Sequence, residues 1–250
     1  MSGGGVKRDR DGRMKKALAP DAPRGRFHTM FEHFRDELDE HYDRRERIVK
    51  TSRDVTAQSK KMVKTLNQDV PPHIQKDIDA RMADITRLLA AVAPDLQSLN
   101  RHRYTWPMRC LEELVEALSF AYYLQHQRLI TLEQAQASVP VDIRLTAHDY
   151  MFGVFDLFGE MMRFATVQRA LVVGDSQNRT ILRDIQELAC AFEMLPNVPT
   201  KDYRNKMETM RQSVRKVENL GYGLVVRGSE RPSGWVPDMQ DQGPEPVSPV

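Results

Sequence analysis

FGVFDLFGEMMRF, residues 152–164, is the stretch from which the rest of the chain is best read. Phe152, Phe155, Leu157, Phe158, Met161 and Met162 leave too little polar surface for a helix lying in water, so the stretch predicts a helix buried nearly all round. Asp156 and Glu160 interrupt it four residues apart, one turn above each other. Gly153 and Gly159 flank the same face, and their lack of side-chain bulk predicts a close approach by another helix. Carboxylates in such surroundings need partners. Arg163, one turn beyond Glu160, could supply one as a plain internal ion pair.

A second helix repeats the oddity. In LEELVEALSF, residues 111–120, Glu113 and Glu116 are three apart and share a face with Ala117 and Phe120. Two like charges beside apolar surface call for a cation, although a solvated face would carry the same acids without any special role. If the two helices pack together, Glu113, Glu116, Asp156 and Glu160 form an all-oxygen, strongly negative pocket suited to Mg²⁺, with Mn²⁺ as a substitute. Such an ion polarises a phosphoryl oxygen and lowers the pKa of bound water, the chemistry of phosphodiester hydrolysis. A di-iron centre would want Glu-x-x-His motifs, and neither helix has one.

Working outward, the pattern stays helical. Phe27, Phe31, Phe34 and Leu38 begin a stripe that continues through Ile48, Val55, Met62 and Leu66 until Pro71-Pro72, predicting one very long helix or two nearly collinear ones. Further helices are expected from Ile74 to near Pro94, from Pro107 to Gln127, and from Thr131 to Ser138. Three more should run from a Thr146/Asp149 capping pair to about Gly174, from Gln177 to Leu195, and from Lys201 to Leu220. No stretch alternates long enough for a sheet, so the expectation is an all-α single domain of about seven helices over 26–228. Residues 1–25, with Lys7, Arg8, Arg10, Arg13, Lys15 and Lys16, read as a disordered basic arm that could double as a nuclear import signal, and 229–250 as a disordered tail.

The 37 Lys and Arg nearly balance the 35 Asp and Glu, giving a net charge of +2, so no global field drives the chain onto nucleic acid or membrane. Cys110 and Cys190 show no metal-ligand spacing and the first residues lack an apolar signal core, which points to a reducing compartment, nucleus or cytosol. No apolar run approaches the roughly 20 residues that span a bilayer, so no membrane association is expected.

Four segments together resemble the translin family, and its factor X branch in particular: RRERIVKTSRDVTAQSKK (44–61), LEELVEALSF (111–120), DYMFGVFDLFGEMMR (149–163) and KVENLGYGLVVRGSERP (216–232). The resemblance implies a seven-helix subunit that joins translin in a closed hetero-oligomeric barrel. It also implies Mg²⁺-dependent endoribonuclease activity on single-stranded or processed RNA, such as small-RNA strands or tRNA precursor fragments. By local motif, Glu113 and Glu116 match the acids of the family's L-x-E-x-x-E-A helix, and Asp156 and Glu160 those of D-L-x-G-E. Glu112 falls where the motif need not be acidic and is read as a solvated neighbour. RHRYTWPMRC (101–110) departs from the family pattern.

For RNA phosphates the candidates are Lys60, Lys61 and Lys64 on the long helix and Arg101, Arg103 and Arg109 ahead of the acids, each of which could equally be a solvating side chain. Tyr104 and Trp106 could stack on unpaired bases or lie in the core. His102 and His148 have no ligand spacing. The competing reading is a non-catalytic nucleic-acid-binding or scaffolding subunit of the same kind of complex.

Overall fold

In a computed structural model the structure describes residues 25–67, 74–140, 142–168 and 181–228. Among these residues there are eight α-helices and no strand. They are α1 (His28–Leu66), α2 (Ile74–Val92), α3 (Asn100–Arg103), α4 (Cys110–His126), α5 (Leu132–Ala137), α6 (Ala147–Gln168), α7 (Ile181–Glu193) and α8 (Lys201–Gly228). The all-α expectation holds, and the element added to the predicted seven is the single turn α3. The Pro71-Pro72 break, the expected helix ends at Gly174 and Gln177, the tail, and all of the basic arm but Gly25 lie outside the described residues.

The chain divides into two compact units, one ending at Arg44 and one beginning at Arg45. In the first, α1 presents Met30, Phe31, Phe34, Leu38 and Tyr42 to solvent, with Phe27 just before it. In the second, α1 buries Ile48, Ser52, Val55, Ser59, Met62 and Leu66, spaced alternately four and three apart, which is the spacing of one helix face.

Within the second unit α6 is central, packing on α4, α7 and α8. Its aromatic rings interlock: Phe155 meets Phe192 at 4.6 Å and Tyr203 at 5.7 Å, and Phe158 meets Phe192 at 5.5 Å, all edge to face. The α4–α6 contact depends on one glycine. A Cβ at Gly153 would stand 2.6 Å from both the Glu112 carbonyl oxygen and Val115 Cβ, whereas one at Gly159 would meet nothing within 4 Å. The expectation that both glycines admit a neighbour is corrected: Gly153 does so and Gly159 faces open space.

Helix starts follow the sequence closely. Thr146 and Asp149 form the expected reciprocal cap: the Asp149 amide donates to Thr146 Oγ1 at 3.1 Å and the Thr146 amide to Asp149 Oδ2 at 2.8 Å. Thr131 and Gln134 build a second capping box on α5. At the other end, α8 runs to Gly228, past the predicted stop at Leu220. The reason is that Gly221 is a packing position, where a Cβ would lie 3.0 Å from Leu182 Cδ2, and not a terminator. No helix among the described residues is long and apolar enough to cross a membrane.

Candidate functional site

Because Gly153 lets α4 and α6 touch, the acid-bearing turns of the two helices come side by side. Glu116 is the centre of the group. Burial and the neighbouring Asp156, Glu113 and Glu160 push its carboxyl up to about 8, and the Lys206 ammonium only partly opposes them. Among the described residues its side chain has no hydrogen-bond or ion-pair partner.

Each of the other three acids meets a cation. Glu160, buried, takes Arg163 Nη1 at 2.8 and 3.1 Å on its two oxygens and Asn67 Nδ2 at 2.7 Å, so the ion pair that the sequence offered as a plain structural alternative is present, with Arg163 reaching in from the surface. Glu113 Oε1 lies 3.2 Å from Lys60 Nζ. Asp156 Oδ2 accepts from Lys206 Nζ at 2.5 Å. No three carboxylates, imidazoles or thiols among the described residues converge closely enough to hold a metal ion as they stand. The donor chemistry nevertheless fits a hard divalent cation: three carboxylates gather around a fourth whose ionisation they oppose, and only single-charged side chains offset them.

Two site residues escaped the sequence reading. Glu112 is buried at 6% exposure, not solvated. Burial raises its pKa, while Arg109, Lys206 and His148 counter that effect. The reason it was missed is that α4 is enclosed on more than one side, which an acid-rich first turn does not reveal. Lys206 was missed because it belongs to a distant helix; the available signal was a lysine inserted at the helical spacing Tyr203, Lys206, Met207, Met210, whose other members are buried.

The predicted RNA contacts divide. Lys60, Lys61, Lys64 and Arg103 are exposed. Arg109 lies 3.4 Å from both Glu112 and Asp202. Arg101 is corrected: it is buried, donating from Nη2 to Asp149 Oδ2 at 2.5 Å and from Nε to the Arg144 carbonyl at 3.2 Å, so it ties α3 to the start of α6 and has no surface for phosphate. Tyr104 is core, whereas Trp106 stands 72% exposed with the Arg109 guanidinium 6.0 Å from its ring.

Comparison with known proteins agrees with this architecture. Translin-associated protein X from Rattus norvegicus is 28% identical over 241 residues, covering 84% of this chain and 82% of that protein. The translin-associated protein X homolog of Schizosaccharomyces pombe is 28% identical over 209 residues, covering 79% and 88%. Translin from Gallus gallus matches less of the length, 30% identity over 125 residues covering 47% and 53%. In fold, the chain is similar to the crystal structure of apo-NeC3PO, with a TM-score of 0.58 at 19% identity, covering 81% of this chain and 96% of that one. The Translin family model matches residues 43–228, which take in every residue of the site, and the chain belongs to the translin family, on its translin-associated protein X side.

Proposed function

We propose that this protein is the catalytic subunit of a translin-type hetero-oligomer, an endoribonuclease that cuts single-stranded or processed RNA in the nucleus or cytosol with Mg²⁺ held by Glu113, Glu116, Asp156 and Glu160. The observation that carries this reading is Glu116, a carboxylate set among three others with no partner of its own among the described residues. A structural network would give a carboxyl so enclosed a hydrogen-bond or ionic partner of its own. When bound, a divalent ion would polarise a phosphoryl oxygen and activate water. The chain's own contribution is to hold four carboxylates on two helices locked together at Gly153, and to offer Lys61, Lys64 and Arg103 to phosphates and Trp106 to a base.

The partner reading draws on α1. Phe27, Phe31, Phe34, Leu38 and Tyr42 form a stripe of large apolar side chains in water, and such a stripe is characteristic of a face that is covered by another subunit. Translin is the partner proposed to cover it.

The ion pairs Lys206–Asp156, Lys60–Glu113 and Arg163–Glu160 favour a second reading, a scaffolding subunit whose acids are structural. Cleavage of a single-stranded RNA by the complex co-expressed with translin, with Mg²⁺ and with EDTA, distinguishes the two. Glu113→Ala and Asp156→Ala are each expected to lower the rate at least about a hundredfold with the complex intact. Undiminished cleavage by both variants would assign the chemistry elsewhere.

A further inference from the structure

The three cations around the acids are not equivalent. Lys60 and Arg163 reach the cluster from outside, with side chains 64% and 61% exposed. Lys206 comes from α8 and is only 20% exposed, its Nζ lying 2.5 Å from Asp156 Oδ2 and 5.6 Å from the centre of the Phe152 ring. Its charge also bears on Glu116 and Glu112. An ammonium so far out of water is held by the carboxylates around it. It therefore stands where a free cation would otherwise be drawn.

We propose that Lys206 is a resident counter-ion of the acid cluster, and that a divalent cation entering the cluster must displace its ammonium from Asp156. This rests on the metal reading above. In this structure Asp156 is turned to that tethered cation, as Glu113 is to Lys60 and Glu160 to Arg163. A divalent ion and an ammonium bound to the same carboxylate repel each other, so the two compete, and metal loading becomes an exchange at Asp156. Lys206 is thus a positioning residue: it keeps the cluster neutral enough to fold without metal and sets how tightly metal is held.

The test is Mn²⁺ binding to the full-length chain, followed by electron paramagnetic resonance of free Mn²⁺, together with thermal melting in EDTA and in Mn²⁺. Lys206→Met and Lys206→Gln are expected to bind Mn²⁺ about tenfold more tightly, corresponding to one pKa-sized step of cation competition. Both should melt lower than the parent in EDTA, and recover most of the loss when Mn²⁺ is added. Lys206→Arg, which keeps the charge, should stay within about threefold of the parent. Lys60→Met, which removes an exposed charge, should change affinity by less than about threefold. Glu116→Gln marks the site and should abolish the binding. If the parent shows Mn²⁺ binding sensitive to Glu116→Gln but Lys206→Met and Lys206→Gln bind no tighter, the exchange is overturned and the metal reading stands. A gain by Lys60→Met equal to that of Lys206→Met would also overturn it, because the effect would be general charge. If the parent shows no such binding at millimolar Mn²⁺, the metal reading itself falls, and the exchange with it.

Discussion

At the scale of single residues, Glu116 sets a pH dependence whose sign can be worked out. Its folded carboxyl is raised from the ordinary 4.5 to about 8, so the folded chain holds that proton more tightly than the unfolded chain does. The stabilisation is complete below about pH 4.5 and is lost as pH rises toward 8. In EDTA, the urea midpoint is therefore expected to fall between about pH 5 and pH 8, and Glu116→Gln should flatten that slope. An unchanged slope in Glu116→Gln would place the titration on another group. Arg101 yields a second expectation. Its pair with Asp149 is buried, so Arg101→Met leaves a carboxylate without its cation and should cost about 3–5 kcal/mol in urea unfolding. A surface phosphate ligand would cost almost nothing, so the measurement separates the two roles proposed for this side chain.

At the scale of elements, the α4–α6 contact governs whether the acids form a group at all. The 2.6 Å approach of a Cβ at Gly153 is to a backbone oxygen and to Val115 Cβ, neither of which is the end of a flexible chain. Gly153→Ala is expected to destabilise by about 1–3 kcal/mol or more. It should weaken divalent-cation binding too, because the helices must separate. Gly159→Ala, facing open space, should be neutral or slightly stabilising by helix propensity. Equal effects from the two substitutions, read from urea midpoints, would contradict this asymmetry. From the sequence the two glycines looked alike: each flanks an acid on the same helix. Only the position of α4 tells them apart.

At the scale of the whole molecule, the exposed stripe on α1 is the feature a lone chain has least reason to keep. Phe31→Ala, Phe34→Ala and Leu38→Ala combined should leave the helical content of the chain unchanged and reduce recovery of co-expressed translin at least about tenfold. Pull-down with the parent chain as reference checks this, and full recovery of translin by the triple variant would move the interface elsewhere. Helix class, the succession of helices and the two acid pairs were legible in the amino-acid sequence by itself, because they rest on local periodicity and on charges placed where apolar side chains belong. The cap at Thr146 belongs in the same group, since it is complete within four residues. What tertiary structure alone decided was the company each charge keeps: Lys206 at Asp156 from fifty residues away, Arg101 turned inward to Asp149, and Glu112 buried. A side chain's nearest cation is fixed by which helices touch, and that depends on contacts such as the one at Gly153, between residues far apart in the chain.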